Sequence, residues 1–361
     1  MSENARSIDA VRLRALLSLV HDEVACGRLP SAQVAVGHGG KVIAFETYGD
    51  ATPSTRYRLQ SAGRPFVAGA LWKVIDEHAI DVTEPVTTWI SGFPVDITLE
   101  QVLTHSAGLA YAPLGKKRMS TSTSRREAMA TWQPDPDTIG RLQFHLTSTG
   151  WVIAEVIEAV TGSALPTYLT NEICRPLGLR AQLAVPVEEQ GDVAPMVLIG
   201  DAGDGLDPWG PWYLESAEVL ALGEPSHAVV ANASDVAAHY QAMLHSDVWS
   251  RNAIELGTRV RVCEPAYGPV EHGGTEQPIS MALFTTVRGE SWQHGWMPAT
   301  GSPRTFGNGG AALQQSFCDP ETGLSFAMLT NGYPATGYAL DRWGKNLSLL
   351  MLDLAASLVV S

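Results

Sequence analysis

Apolar residues first recur at helical spacing: Val11, Leu16, Leu17, Val20 and Val24 share one face of a segment that stops at Gly27. The period then changes. Ala32 to His38 and Lys41 to Tyr48 are apolar, β-rich runs joined at Gly39-Gly40, which predicts a hairpin. From about residue 65 to 245 the helical period dominates, with helices expected over Pro65 to His78, Leu99 to Thr104, Ser148 to Val160, Leu165 to Ile173 and Ser234 to Leu244. Strand character returns over Ser280 to Val287, Ala311 to Cys318 and Leu324 to Thr330. The last two are joined by a turn at Asp319-Pro320-Glu321-Thr322-Gly323, and a helix from Asp341 to Leu358 closes the chain.

Strands at both ends with helices between them predict an α/β (α+β) fold. One antiparallel sheet is assembled from both chain ends, flanked by helices, with a mostly helical lobe inserted. The expected division is a sheet lobe of residues 1–64 and 246–361 and a helical lobe of 65–245, with an active-site cleft between them. No internal repeat or low-complexity segment interrupts this pattern.

Composition narrows the class of partner. At 361 residues and 45% hydrophobic content the chain can bury a large core, and 24 basic against 38 acidic residues leave a formal charge of −14. That balance argues against nucleic acid and anionic membrane as partners and leaves a small molecule. Arg12, Arg14, His21, Asp22 and Glu23 break the first apolar stretch, so neither a secretory signal nor a membrane span is expected there, and a cytoplasmic protein is. Cys26, Cys174, Cys263 and Cys318 are scattered without metal-ligand spacing, which predicts buried reduced thiols. No motif implies a cofactor.

Six segments, taken in order, resemble the serine β-lactamases, penicillin-binding proteins and related esterases, in the class C style. They are LPSAQVAVGHGGKVIAFETYGDA (29–51), YRLQSAGRPFVAGALWKVID (57–76), LEQVLTHSAGL (99–109), STGWVIAEVIEAVTG (148–162), ICRPLGL (173–179) and FGNGGAALQQSFCDPETGLSFAMLTN (306–331). The resemblance covers most of the chain and implies a β-lactamase/transpeptidase-like fold. It also implies a cleft where three motifs meet: Ser-x-x-Lys, a tyrosine motif, and a Lys or His motif on a strand.

This sequence departs from that pattern in all three places. The first motif reads Ser61-Ala62-Gly63-Arg64, and an arginine stays protonated, so Arg64 cannot take the serine proton as a lysine can. In Phe144-His145-Leu146-Thr147-Ser148-Thr149-Gly150 the family spacing, counted back from Gly150, puts Phe144 in the tyrosine position, where it offers a ring and no hydroxyl. The third motif, Gly307-Asn308-Gly309-Gly310, has Asn308 for the Lys or His, able to hydrogen-bond but not to shuttle protons. By resemblance, the backbone N–H groups of Ser61 and of Ala311, after Gly309-Gly310, form an oxyanion hole.

Three functions fit. The leading one is a repurposed biosynthetic enzyme using the old pocket for non-acylating chemistry, a rearrangement, cyclisation, elimination or isomerisation, with Arg64 balancing developing negative charge. The second is a serine esterase or acyltransferase through Ser61 with another base, for which His145 is the visible candidate although a structural role suits it better. The third is a small-molecule-binding pseudoenzyme. His105, in Leu-Thr-His-Ser-Ala-Gly-Leu, is expected to fix a loop. Trp209, Trp212 and Tyr213, and also Trp292 and Trp296, lack regular periodicity and are candidates to line the substrate space. Asp201, Asp204 and Asp207 have the wrong spacing for a calcium loop and suit a solvated turn.

Overall fold

The computed structural model describes residues 7–94, 96–112, 114–200, 216–269, 274–290, 297–311, 313–335 and 342–360. Its centre is an eight-stranded antiparallel sheet. The strand order is Lys41–Gly49, Ser31–His38, Leu324–Thr330, Gln315–Asp319, Phe306–Gly309, Thr286–Val287, Pro278–Met281 and Val262–Pro265. Strands from the two chain ends pair as its second and third members, with Val36 opposite Phe326 and Val34 opposite Met328. This is the sheet the sequence predicts.

Successive side chains of a strand point to opposite faces, and here both faces are covered. Val34, Val36, Phe317, Phe326 and Met328 pack under the first helix, Ala10–Ala25, and the last, Arg342–Ala356, through Leu16, Val20, Met351 and Leu352. Ala35, Phe306, Cys318, Ala327 and Leu329 face the larger core, which includes Trp72 of the Arg64–Glu77 helix and Tyr240 of the Ala233–His245 helix. Burial on both sides explains why these strands read as unbroken apolar runs.

Several expectations need correction. Val11 is 67% exposed and does not belong to the buried face of its helix, which Leu16 and Val20 form. The expected strand from Ser280 is two strands, Pro278–Met281 and Thr286–Val287, because the chain bends at Phe284, whose φ is 62°. The strand expected from Ala311 begins at Gln315, since Gly310 N–H donates to Gln314 O at 2.7 Å and closes a turn first. Leu165–Tyr168 is a single helical turn that widens into a π-helix over Leu169–Cys174. Cys174 and Cys318 are buried, but Cys26 caps the first helix and Cys263 sits on the edge strand, and both are exposed. All four thiols are free.

Candidate active site

Ser61 lies in the 3₁₀ turn Gln60–Gly63, which leads directly into the Arg64–Glu77 helix, where Pro65 occupies the first turn and sacrifices no helical hydrogen bond. Trp72 of that helix donates to Leu283 O at 2.9 Å, so the helix is fastened to the bend between the strands Pro278–Met281 and Thr286–Val287. Opposite Ser61 stands the end of Phe306–Gly309. A methyl group at Gly310 would be 2.7 Å from Leu59 O and 3.1 Å from Gln60 Cβ, so only glycine lets this strand approach the serine turn so closely. Gly310 is therefore held against Leu59 and Gln60, the residues just before Ser61. Among the described residues, no side chain hydrogen-bonds the Ser61 hydroxyl.

Arg64 is 4% exposed. Its Nη1 lies 3.4 Å from Nε2 of His105, its guanidinium carbon stands 5.3 Å from the centre of the Phe284 ring, and its Nε has no partner. Among the described residues it has no ion pair with a carboxylate. Burial lowers its pKa to about 10, with the charge of Glu224 working the other way, so it remains a cation at neutral pH. A buried unpaired charge of this kind costs several kcal/mol.

The remaining motif residues gather around this cation. The half-buried Phe144 ring lies 5.5 Å from His105 and packs against Leu142, Ala266, Ile279 and Met281. Asn308 is buried, and its side-chain oxygen accepts a hydrogen bond from Thr285 at 3.0 Å, next to the Phe284 that flanks Arg64. Ser61, Arg64, Phe144 and Asn308 thus converge although 247 positions separate the first from the last.

Of the roles open to His145, a base, a substrate contact or a structural residue, the geometry fits the last, which suited the sequence best. It is fully buried; its Nε2 accepts from Leu109 N–H at 3.2 Å and its Nδ1 meets Thr149 Oγ1 at 3.1 Å. Burial first, and the Arg64 charge second, lower its pKa to about 3, so it is a neutral structural residue. His105 is likewise buried and held well below the ordinary histidine range by burial, then by Arg64 and His145. It fixes a loop, as expected. Trp209, Trp212, Tyr213, Trp292, Trp296, Asp201, Asp204 and Asp207 lie outside the described residues.

Backbone strain concentrates at the same place. Six non-glycine residues have positive φ among the described residues, and four belong to this neighbourhood: Gln60 before the serine, His105, Phe284, and Leu313 in the turn after Gly310. Such conformations cost about 1–3 kcal/mol each and persist where the surroundings over-determine them.

The sequence reading missed Glu224, Ser226 and His227. Glu224 is fully buried; its carboxylate accepts from His227 Nδ1 at 2.7 Å and from Ser226 N–H at 3.0 Å. In the sequence these residues are one Glu and one His around a proline, before an Asn-capped helix, which carries no recognisable spacing.

Comparison with known proteins agrees with this architecture. Residues 16–350 match the model of the Beta-lactamase family. A putative D-alanyl-D-alanine carboxypeptidase from Escherichia coli O157:H7 is 22% identical over 316 residues, covering 78% of this chain and 70% of the relative. Among solved structures, a penicillin-binding protein homologue from Caulobacter crescentus superposes with a TM-score of 0.78 at 21% identity, over 97% of this chain and 98% of its own. EstA from Arthrobacter nitroguajacolicus Rue61a gives 0.76 at 21% identity, over the same shares of the two chains. With its sheet, its serine turn and its opposing glycine-rich strand end, the chain belongs to the Beta-lactamase family of serine-hydrolase-fold proteins.

Proposed function

We propose that this protein is an enzyme of small-molecule metabolism that uses the inherited serine-hydrolase cleft for carbonyl chemistry without an acyl-enzyme. The observation that carries this reading is Arg64: a buried, permanently charged side chain with a partnerless Nε stands where the family places its proton-accepting lysine. It cannot deprotonate Ser61. It can balance a carboxylate, or an oxygen that becomes negative as a carbonyl compound rearranges, isomerises or eliminates, with the Ser61 and Ala311 N–H groups as donors to that oxygen. Phe144 and Asn308 support the reading, since neither replacement moves a proton. The buried, satisfied His145 supports it too, because it removes the base that sequence inspection offered for acylation.

The test is hydrolysis of penicillins, cephalosporins and p-nitrophenyl acetate by the purified protein. The reading expects rates at the level of the Ser61→Ala protein. Serine-dependent turnover of any of them would replace it with the esterase reading.

A further inference from the structure

Removing the lysine and tyrosine leaves the pocket with charge stabilisation but no group to take a proton. The segment Glu224–Val229 offers one. Its downstream end is paired with the strand that leads into the serine turn: Tyr57 lies opposite Ala231, Arg58 opposite Val230, and Leu59 N–H donates to Val229 O at 2.9 Å. Upstream of Val229 the chain folds into a turn, in which Ala228 N–H donates to Glu224 O at 2.9 Å. The serine turn rests on this strand, since a methyl group at Gly63 would stand 2.8 Å from Val229 Cβ. On the other side, Ser226 and Pro225 press on the first turn of the Ser148–Thr161 helix, where a methyl group at Gly150 would be 2.9 Å from Ser226 N and 3.1 Å from Pro225 Cβ. That turn also carries Thr149, which contacts His105 and His145. Glu224 lies near enough for its charge to act on Arg64.

Within this frame His227 is oriented like a working base. Nδ1 is taken by the buried Glu224 carboxylate, which fixes the ring and favours the tautomer with its proton on Nδ1. Nε2 makes no hydrogen bond among the described residues, and the residue keeps 5% exposure. The Ser226 hydroxyl beside it is 1% exposed and has no partner.

We propose that His227, positioned by Glu224, is the proton-transfer residue of this cleft and acts on small carbonyl compounds that carry a hydrogen on the carbon next to the carbonyl. The inference rests on the non-acylating reading. His227 Nε2 takes the α-proton, and the C–H electron pair forms a C=C bond while the carbonyl electrons move to oxygen, which the Ser61 and Ala311 N–H groups hold. Glu224 stabilises the imidazolium. The enolate collapses either by accepting the proton at a different atom, an isomerisation, or by expelling a β-leaving group that takes up the proton, an elimination. Glu224 is a positioning residue.

The probe is 5-nitrobenzisoxazole, which opens to a coloured cyano-phenolate when a base removes its single ring C–H: the C–H pair becomes part of the nitrile and the N–O bond breaks. The protein should accelerate this at least about a hundredfold over free imidazole at equal concentration. His227→Gln should lower the rate at least tenfold. Glu224→Gln should lower kcat less and leave KM within about twofold, since it loosens the ring's orientation without touching the substrate. Should His227→Gln fail to fold, carbethoxylation of wild-type His227 by diethyl pyrocarbonate, mapped by mass spectrometry, must abolish turnover. No acceleration, or a rate indifferent to both changes at His227, overturns the inference. A separate arm treats the protein with a fluorophosphonate. An adduct on Ser61 that disappears in His227→Gln would keep His227 as the proton acceptor and discard the non-acylating reading, whereas an adduct that persists would discard both.

Discussion

The guanidinium of Arg64 lies 3.4 Å from Nε2 of His105, while the other ring nitrogen of His105 faces the His145 backbone N–H at 3.3 Å. Arginine and the peptide N–H can only donate, and a neutral imidazole has one lone pair in its ring plane to accept with, so both contacts cannot be good at once. Arg64 therefore has no strong hydrogen bond to His105, and its Nε has no partner among the described residues.

The first prediction follows for stability. Arg64→Met keeps the length of the side chain and removes the unpaired charge, so the ligand-free protein should become more stable by about 1–3 kcal/mol. Thermal unfolding would show a midpoint raised by a few degrees. A lowered midpoint would mean that Arg64 is already paired.

Acid should unfold the protein steeply. His105, His145 and His239 are buried, and burial depresses all three, His145 to about 3 and His239 to about 4. Unfolding returns them to about 6.5. Each therefore contributes stability that is complete above pH 6.5 and lost as pH falls toward the folded values, because the unfolded chain binds the extra protons. Urea midpoints should be flat above pH 7 and fall continuously from 6.5 to 4, with a shallower fall in His239→Gln. A profile that stays flat down to pH 5 would contradict the burial of these rings.

Restoring the family motifs tests the placement of Phe144. Groups that act as a unit are strongly non-additive, so Arg64→Lys alone should give no measurable hydrolysis of p-nitrophenyl acetate. Arg64→Lys with Phe144→Tyr and Asn308→His should give some. Robust turnover from the single change would show that Phe144 is not in the tyrosine position.

The sheet was legible in the sequence because its inner strands are buried on both faces and bounded by turns: Gly39-Gly40 and Asp319 to Gly323 mark two of its hairpins. Ser61, Arg64, Phe144 and Asn308 were legible through motif order, and the fold brings them together. The Glu224–His227 pair was not, and the structural role that suited His145 is the one it has. Adjacency to Phe144 made His145 conspicuous, yet its ring points away into the contacts with Leu109 and Thr149. The role proposed for His227 depends on the pairing of Tyr57–Arg58 with Val230–Ala231, a two-residue ladder whose partners, such as Arg58 and Val230, are far apart in the chain and leave no periodic trace. Val11 misled for a related reason: helical spacing marks a face, and which residues at its edge are covered depends on the partner helix.

Intact mass after incubation with a fluorophosphonate tests the central claim most directly, because the reagent reports a serine that acts as a nucleophile and needs no knowledge of the substrate. If the cleft has abandoned acyl chemistry, the wild-type mass stays unmodified under conditions that label an active serine esterase to completion. Rapid stoichiometric addition of one phosphonyl group, mapped to Ser61 and absent from Ser61→Ala, would contradict the account.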